Sequence, residues 1–171
     1  MDFRLRIISG LLSFALVIIG RISTNGNFEL TKDGYTPEQA DVECVARVMW
    51  NECRGVDSED EQAAVVWCIL NRVDDPRWPD TIQGVCKAPG QFAYESHAPL
   101  DPALMELAED VIYRWNMEHD RWDDVGRTLP DDYFFFSGHS GRNWFRKEYG
   151  SRETWDWSLP SPYDEDEYER S

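Results

Sequence analysis

The chain has 171 residues, a length typical of one domain with short terminal segments. Hydrophobic residues make up 42% of the chain and aromatic residues 13%, which is enough for a packed core and excludes wholesale disorder. The 33 acidic residues outnumber the 17 basic ones, and the formal net charge of −16 excludes a basic surface for nucleic acid.

The chain begins with an uncharged apolar stretch, residues 7–20, that has arginines on both sides. A bilayer span needs about 20 apolar residues, so this shorter stretch fits the core of a signal peptide better than a transmembrane helix. No small-x-small cleavage site follows it, so an uncleaved membrane anchor stays open, as does a buried N-terminal helix. We expect residues 1–26 to be a signal peptide or signal anchor, 27–160 the folded domain and 161–171 an acidic tail.

The first helix of the domain is predicted to start at a capping motif. Thr36 is a favourable N-cap, Pro37 suits the first helical position, and Gln39 completes a capping box. Apolar residues then recur at three- and four-residue spacing until Gly55, which favours the end of the helix.

A second helix is predicted directly after the first. Ser58 and Glu61 have the spacing of a capping box. Residues 63–70 are apolar on all sides, a pattern typical of a helix in the centre of a core. Asp75 and Pro76 then mark the end of this helix.

The remainder of the chain predicts one loop-rich region, one further long helix and a hairpin. Residues 76–100 are rich in proline and glycine, with one short helical turn expected at 81–85. Asp101 and Pro102 open the next helix. Residues 133–136 are predicted to form a strand, followed by a turn and a partner strand at 144–145. The predicted fold is a mainly helical α+β domain with a small hairpin.

The four cysteines have no metal-binding spacing. Cys44, Cys53, Cys68 and Cys86 form no C-x-x-C pair and no finger pattern with histidine, so we expect no metal. Cys44 and Cys53 lie nine residues apart on one predicted helix, on opposite faces, and are not expected to bridge. Disulfides between Cys68 and Cys86 or between Cys53 and Cys86 stay open, beside the alternative that all four are small buried hydrophobic residues.

The candidate for acid–base chemistry is Glu52, near the predicted end of the first helix. Burial against neighbours such as Trp50 and the negative end of the helix dipole both favour the protonated carboxyl group that a general acid requires. The alternative is an ordinary helix-end glutamate paired with Arg54. The acids that follow lie in a cap and a first helical turn, where the helix dipole accounts for them, so we assign no second catalytic carboxylate; they are Asp57, Glu59, Asp60 and Glu61.

A second candidate element is the tripeptide Gly90-Gln91-Phe92 in the loop-rich region. Its amide could pair with an N-acetyl group, and its ring could stack on a sugar face. The alternative is a turn with a core phenylalanine.

Several of these segments together resemble a known family in order and spacing. They are similar to the cell-wall hydrolase family of the spore-cortex-lytic enzymes at residues 45–55 (VARVMWNECRG), 62–66 (QAAVV), 69–73 (ILNRV) and 90–92 (GQF). Farther on, residues 133–138 (YFFFSG) and 143–145 (NWF) resemble the ending of phage-type and clostridial-type members. One departure is Val56, which stands where the family has the second glutamate of its motif.

The resemblance implies a lysozyme-like α+β fold, with 27–160 as a catalytic domain that cleaves the glycan strands of peptidoglycan. It implies a lytic transglycosylase in which Glu52 is the single catalytic acid and no metal or cofactor takes part. Together with the apolar segment 7–20, it predicts an exported or membrane-anchored protein that acts at the cell wall, as a phage endolysin or a remodelling enzyme of wall or spore, and we expect a monomer. The residues expected to bind substrate are Arg54, Gln91, Phe92, Tyr94 and Ser137.

Other functions stay open beside this one. A hydrolytic muramidase would use Asp57 or Glu59 to place a water molecule, and a non-catalytic peptidoglycan-binding module would leave Glu52 paired with Arg54. An inhibitor or a lipid-surface protein is supported only by the apolar segment and the acidity. Because the wall is also anionic, we expect recognition by hydrogen bonds and stacking rather than by long-range attraction.

Overall fold

The computed structural model describes residues 34–163 and, in addition, the backbone of two short strands, β1 (Arg21–Ile22) and β2 (Phe28–Glu29). These two strands pair in antiparallel fashion, with Ile22 opposite Phe28. Residues Pro37–Tyr163 form a compact unit of their own.

The terminal segments of the sequence prediction lie largely outside this description. The apolar stretch 7–20 and the acidic residues from 164 onward are not among the described residues. Among those that are, no helix combines the length and the apolar character needed to cross a bilayer.

The compact unit confirms the predicted α+β class. Within the described residues it contains four helices, α1 (Gln39–Cys53), α2 (Glu59–Asp74), α3 (Ile82–Lys87) and α4 (Pro102–His119), and the hairpin strands β3 (Phe135–His139) and β4 (Arg142–Arg146). The short helix α3 and the start of α4 agree with the prediction. Their N-caps are Thr81 and Asp101, whose side chains accept hydrogen bonds from backbone N–H groups of the first turn.

Helix α2 is the centre of the core, as its apolar pattern predicts. Residues 63–70 are all 0% exposed, and α1, α3 and α4 each contact α2. The Oγ atom of Ser58 accepts a hydrogen bond from the backbone N–H of Glu61 at 3.3 Å. The helix ends at Asp74, immediately before Asp75 and Pro76, as predicted.

The start of α1 differs from the prediction, and the Thr36 capping box is wrong. The N-cap is Glu38, which makes no side-chain cap bond, and the helix begins at Gln39. Gln39 is therefore the first helical residue rather than the third, too early to close a capping box. Its side chain instead donates to Oε1 of Glu43 at 3.4 Å.

The hairpin is antiparallel and tightly turned. Phe136 lies opposite Phe145, and the chain reverses at Ser140 and Gly141. Both turn residues have positive φ, at 54° and 74°, which is the conformation that a two-residue hairpin turn requires.

The first strand of the hairpin begins later than predicted, at Phe135 instead of Tyr133. The carbonyl groups of Tyr133 and Phe134 accept hydrogen bonds from the side chains of Asn71 and Arg72, at 2.9 and 2.7 Å. Asn71 and Arg72 of α2 therefore hold residues 133 and 134 against the helix, ahead of the start of the strand.

Candidate active site

The end of α1 is fastened to the loop that follows α3. The backbone N–H of Ala93 donates to Oε1 of Glu52 at 2.7 Å. The carbonyl oxygen of the same residue accepts a hydrogen bond from Nδ2 of Asn51 at 2.8 Å. Two neighbouring side chains of α1 thus bind both polar groups of one loop residue. We call residues 90–94 the site loop.

Glu52 is half-buried and held by one carboxylate oxygen only. Within residues 34–163, no group donates a hydrogen bond to its other oxygen, Oε2. Burial is the main cause of the raised pKa of the Cys53 and Cys68 thiols. The negative charge of Glu52 raises both pKa values further. A carboxyl group fixed through one oxygen can present the other to a ligand in a defined direction.

Arg54 has a different partner from the one considered in the sequence. Its Nη1 atom donates to the backbone oxygen of Trp50 at 2.6 Å, and its guanidinium lies 5.5 Å from the centre of the Trp50 ring. No ion pair joins Arg54 to Glu52 in the described part of the chain. Glu52 is therefore not a helix-end glutamate neutralised by this arginine.

Arg72 of α2 supports the other side of the site loop. It is only 4% exposed, and its Nη1 atom donates to Oε1 of Gln91 at 2.8 Å. Burial lowers the pKa of the Arg72 guanidinium, while attraction from Cys68 and from Glu52 opposes that shift. A buried cation thus lies close enough to Glu52 for the two charges to interact.

Aromatic rings enclose Arg72 and continue to the surface. The guanidinium lies 4.5 Å from the ring centre of Phe92, 5.3 Å from that of Phe135 and 5.5 Å from that of Trp78. Trp78 stacks on Phe134 with ring centres 5.1 Å apart. Tyr149, which is 89% exposed, meets the edge of Phe135 at 6.0 Å. We call Trp78, Phe134, Phe135 and Tyr149 the aromatic platform.

The predicted substrate-binding residues do not all gather at Glu52. Gln91 and Phe92 belong to the site loop and adjoin Ala93, whereas Arg54 turns back onto its own helix. Tyr94 lies in the same loop, with Nζ of Lys87 5.8 Å from its ring centre. Ser137 is exposed on β3, where its Oγ accepts a hydrogen bond from Nη1 of Arg146 at 2.8 Å. Within residues 34–163, no hydrogen bond joins Tyr94 or Ser137 to Glu52.

Three groups that position this site were not predicted in that role from the sequence: Asn51, Arg72 and the backbone N–H of Ala93. Arg72 carried a visible signal, because it is a charged residue near the end of a helix predicted to be buried. Asn51 adjoins Glu52 but has no pattern of its own. A backbone N–H leaves no mark in a sequence.

Two other acids near Glu52 in the sequence, Glu61 and Glu59, interact with neighbouring groups that give them a structural role. Glu61 is 5% exposed and accepts hydrogen bonds from the backbone N–H of Asn143 at 2.8 Å and from Nε of Arg142 at 3.3 Å. It therefore fastens α2 to β4. Glu59 lies among other acids, and burial, followed by the charge of Asp110, raises its pKa. Among the described residues, no three His, Cys, Asp or Glu side chains are grouped to hold a metal.

Comparison with known proteins defines the class of protein to which this arrangement belongs. A family model described as Cell Wall Hydrolase matches residues 56–155, which is more than half of the chain. The chain belongs to the cell wall hydrolase family, whose action is at the cell wall, on peptidoglycan. The matched region contains α2, the site loop and the hairpin, and it begins just after Glu52. No curated protein and no solved structure matches the chain.

Proposed function

We propose that this cell wall hydrolase cleaves the glycan strands of peptidoglycan as a lytic transglycosylase, with Glu52 as its only catalytic acid and base. The observation that carries the proposal is the fixed carboxyl group at the end of α1. One oxygen of Glu52 is bound by Ala93, and within residues 34–163 the other receives no hydrogen bond. A lysozyme-like arrangement, with the acid at a helix end beside a substrate groove, is part of the same proposal.

The reaction needs two proton transfers through one carboxyl group. Protonated Glu52 gives its proton to the glycosidic oxygen while the bond from that oxygen to C1 of N-acetylmuramic acid breaks. The resulting carboxylate then takes the proton of the 6-hydroxyl of the same sugar, whose oxygen bonds to C1. The product is a 1,6-anhydro sugar, and Glu52 is protonated again for the next cycle.

A single carboxyl group suffices because no water molecule attacks the sugar. A hydrolase that inverts or retains configuration generally uses a second carboxylate to activate water or to form a covalent intermediate. The carboxylate of Glu61 accepts a hydrogen bond from the hairpin backbone, and Glu59 lies in an acidic cluster with Asp110. Asp57, the other acid considered for a muramidase, is exposed, and the product analysis below separates the two reactions.

Substrate binding is proposed for the site loop and the aromatic platform. Tyr149 of the platform offers an exposed ring on which a sugar can stack, and Phe92 would line the groove with the Arg72 guanidinium over its ring. Gln91 offers its amide nitrogen, since Oε1 accepts from Arg72. Arg54, Tyr94 and Ser137 would contact more distant parts of the strand. With a net charge of −16, the protein gains no long-range attraction to an anionic wall, so these short-range contacts must supply the affinity.

The biological setting is proposed from the sequence. A signal peptide or signal anchor at residues 1–26 would deliver the protein, as a monomer, to the outer side of the membrane. There the reaction would serve cell lysis by a phage, wall remodelling or spore germination.

The decisive experiment compares wild type with Glu52→Gln on purified sacculi. Glutamine keeps Oε1 as the acceptor for the Ala93 N–H, so the fold is retained, but it cannot transfer a proton. We expect release of soluble fragments to fall by about a thousandfold or more. Glu95→Gln, which neutralises an exposed acid two residues beyond Ala93, is the matched control and should retain activity.

Mass spectrometry of the fragments separates the alternatives. 1,6-Anhydro ends identify the transglycosylase, and reducing ends identify a hydrolytic muramidase. Binding to sacculi without any released fragment would identify a non-catalytic module. Undiminished release by Glu52→Gln would remove Glu52 from the chemistry.

A further inference from the structure

Two of the four cysteines meet at the contact between α1 and α3. Nε2 of Gln83 donates to Oδ1 of Asp41 at 3.0 Å, which joins the two helices. Cys44 and Cys86 each lie three residues farther along, about one turn on, and so on the same faces of these helices. The two thiols are 2% and 0% exposed, and their side chains interact with each other.

The four thiols differ in how readily they ionise. The interaction with Cys86 lowers the pKa of Cys44, and the same interaction raises that of Cys86. Burial raises the pKa of Cys53 and of Cys68 to about 12. Cys44 is therefore the thiol best able to supply the thiolate that reacts in disulfide exchange.

We propose that Cys44 and Cys86 form a disulfide that links α1 to α3 once the protein has left the cytoplasm. The location outside the cytoplasm is taken from the proposed function, because a protein that acts at the cell wall works in an environment where disulfides persist. The pairs left open by the sequence both used Cys86, with Cys53 or Cys68. The structure instead places Cys44, nine residues before Cys53 on α1, in contact with Cys86.

The chemistry requires a disulfide oxidant, such as oxidised glutathione or a protein disulfide. The Cys44 thiolate attacks one sulfur of the oxidant, forms a mixed disulfide and releases one thiol of the oxidant. The Cys86 thiolate then attacks the Cys44 sulfur and releases the second thiol. Two protein thiols are oxidised and one disulfide is reduced to two thiols. Because both cysteines are buried in the folded protein, the exchange takes place during folding or local opening.

The link would act on the candidate active site. Helix α1 carries Glu52, and α3 leads into the site loop whose Ala93 N–H binds that residue. A bond between these helices limits the separation of the two parts. It also closes a ring of chain from residue 44 to residue 86, which restricts the unfolded state.

Peptide mapping tests the proposal on the full-length chain after refolding with reduced and oxidised glutathione. Trypsin places each cysteine on a different peptide: residues 33–47, 48–54, 55–72 and 78–87. We expect a linked pair of peptides 33–47 and 78–87 that separates on reduction. Linkage of 78–87 to either of the other peptides, or four alkylatable thiols after refolding, would overturn the proposal.

Thermal unfolding provides a second measurement, made first on the wild type and then on two variants. Reduction of the oxidised wild type should lower Tm by roughly 5–15 °C. Cys44→Ala should lose this sensitivity to reductant, and the matched Cys53→Ala should keep it. A Tm that is equal in the oxidised and reduced proteins would contradict a stabilising link. Cleavage of sacculi is measured separately and reports on Glu52, so failure of the disulfide leaves the proposed function intact.

Discussion

The helical core and the hairpin differ in how much polar side chains contribute to their attachment. In the core, residues 63–70 of α2 are apolar and completely buried. The segment from residue 130 through the hairpin also buries Phe145 in this core, and polar side chains of α2 fasten it in addition. Glu61 binds the backbone of Asn143, Asn71 binds the carbonyl oxygen of Pro130, and Arg72 that of Phe134.

The apolar contacts mainly stabilise the fold, whereas the polar contacts mainly fix the position of the hairpin. Apolar contacts are numerous and non-directional, so a core helix keeps its place when one methyl group is lost. A buried hydrogen bond requires a particular distance and angle, and removal of one partner leaves the other unsatisfied. The polar side chains of α2 therefore determine where the hairpin and the site loop lie relative to Glu52.

The largest effect should come from Arg72→Leu, which keeps much of the volume but removes the cation. The substitution leaves the Phe134 carbonyl and the Gln91 amide without their donor, so we expect a loss of about 3–5 kcal/mol in the free energy of unfolding. Urea unfolding measures it. Ile69→Val, which removes one methyl group from the same helix, is the control and should cost about 1 kcal/mol. Equal losses in the two variants would erase the distinction between core and hairpin.

A smaller and more local effect is expected for Glu61→Gln. The amide retains one acceptor oxygen but loses the charge that binds Arg142, so the free energy of unfolding should fall by about 1–2 kcal/mol. Hydrogen exchange should show faster exchange of the Asn143 amide, with the amides of residues 63–70 affected only through the global change. Equal acceleration of amide exchange in the hairpin and in the helices would show that the bonds of Glu61 to β4 do not act locally.

The smallest effect, and one of opposite sign, is expected for Glu59→Gln. Burial and the charges of Asp110, Asp60 and Glu106 raise the pKa of Glu59, so its proton is bound more tightly in the folded state than in the unfolded one. Its contribution to stability is present at low pH and is lost as the pH rises through the folded-state pKa. Glutamine should therefore stabilise the protein at pH 7 by less than about 1 kcal/mol.

Thermal unfolding of wild type and Glu59→Gln at several pH values checks this sign. The stabilising difference should disappear at about pH 3, where Glu59 is protonated in both states. A destabilised variant at pH 7 would mean that the dipole of α2 outweighs the repulsion from the neighbouring acids.

The helices could be predicted because their signals are local. The apolar run of α2 and the caps at Ser58 and Asp101 need no information about distant residues. The hydrogen bonds between α2 and the hairpin could not be predicted, because their partners, such as Glu61 and Asn143, are far apart in the chain. A capping box accounted for Glu61 in the sequence, yet its carboxylate binds β4, and only the hydroxyl of Ser58 performs the capping role.

The candidate site was predictable to a similar extent. Glu52 and Gly90-Gln91-Phe92 were identified from residue types, and the structure brings them to one place. Tyr94 and Ser137 were expected from the resemblance, and within residues 34–163 neither makes a hydrogen bond to Glu52. Loop conformation decides such details, and it depends on bonds such as that between Arg72 and Gln91.

The hydrogen bond from Ala93 to Glu52 has a consequence for how this site can vary in evolution. The donor is a main-chain group, and the Ala93 side chain is exposed. Every amino acid except proline supplies the same N–H, so drift at this position can alter size, charge or polarity without removing the acceptor's partner. The residue that orients the acid is thus one whose identity selection has little reason to preserve.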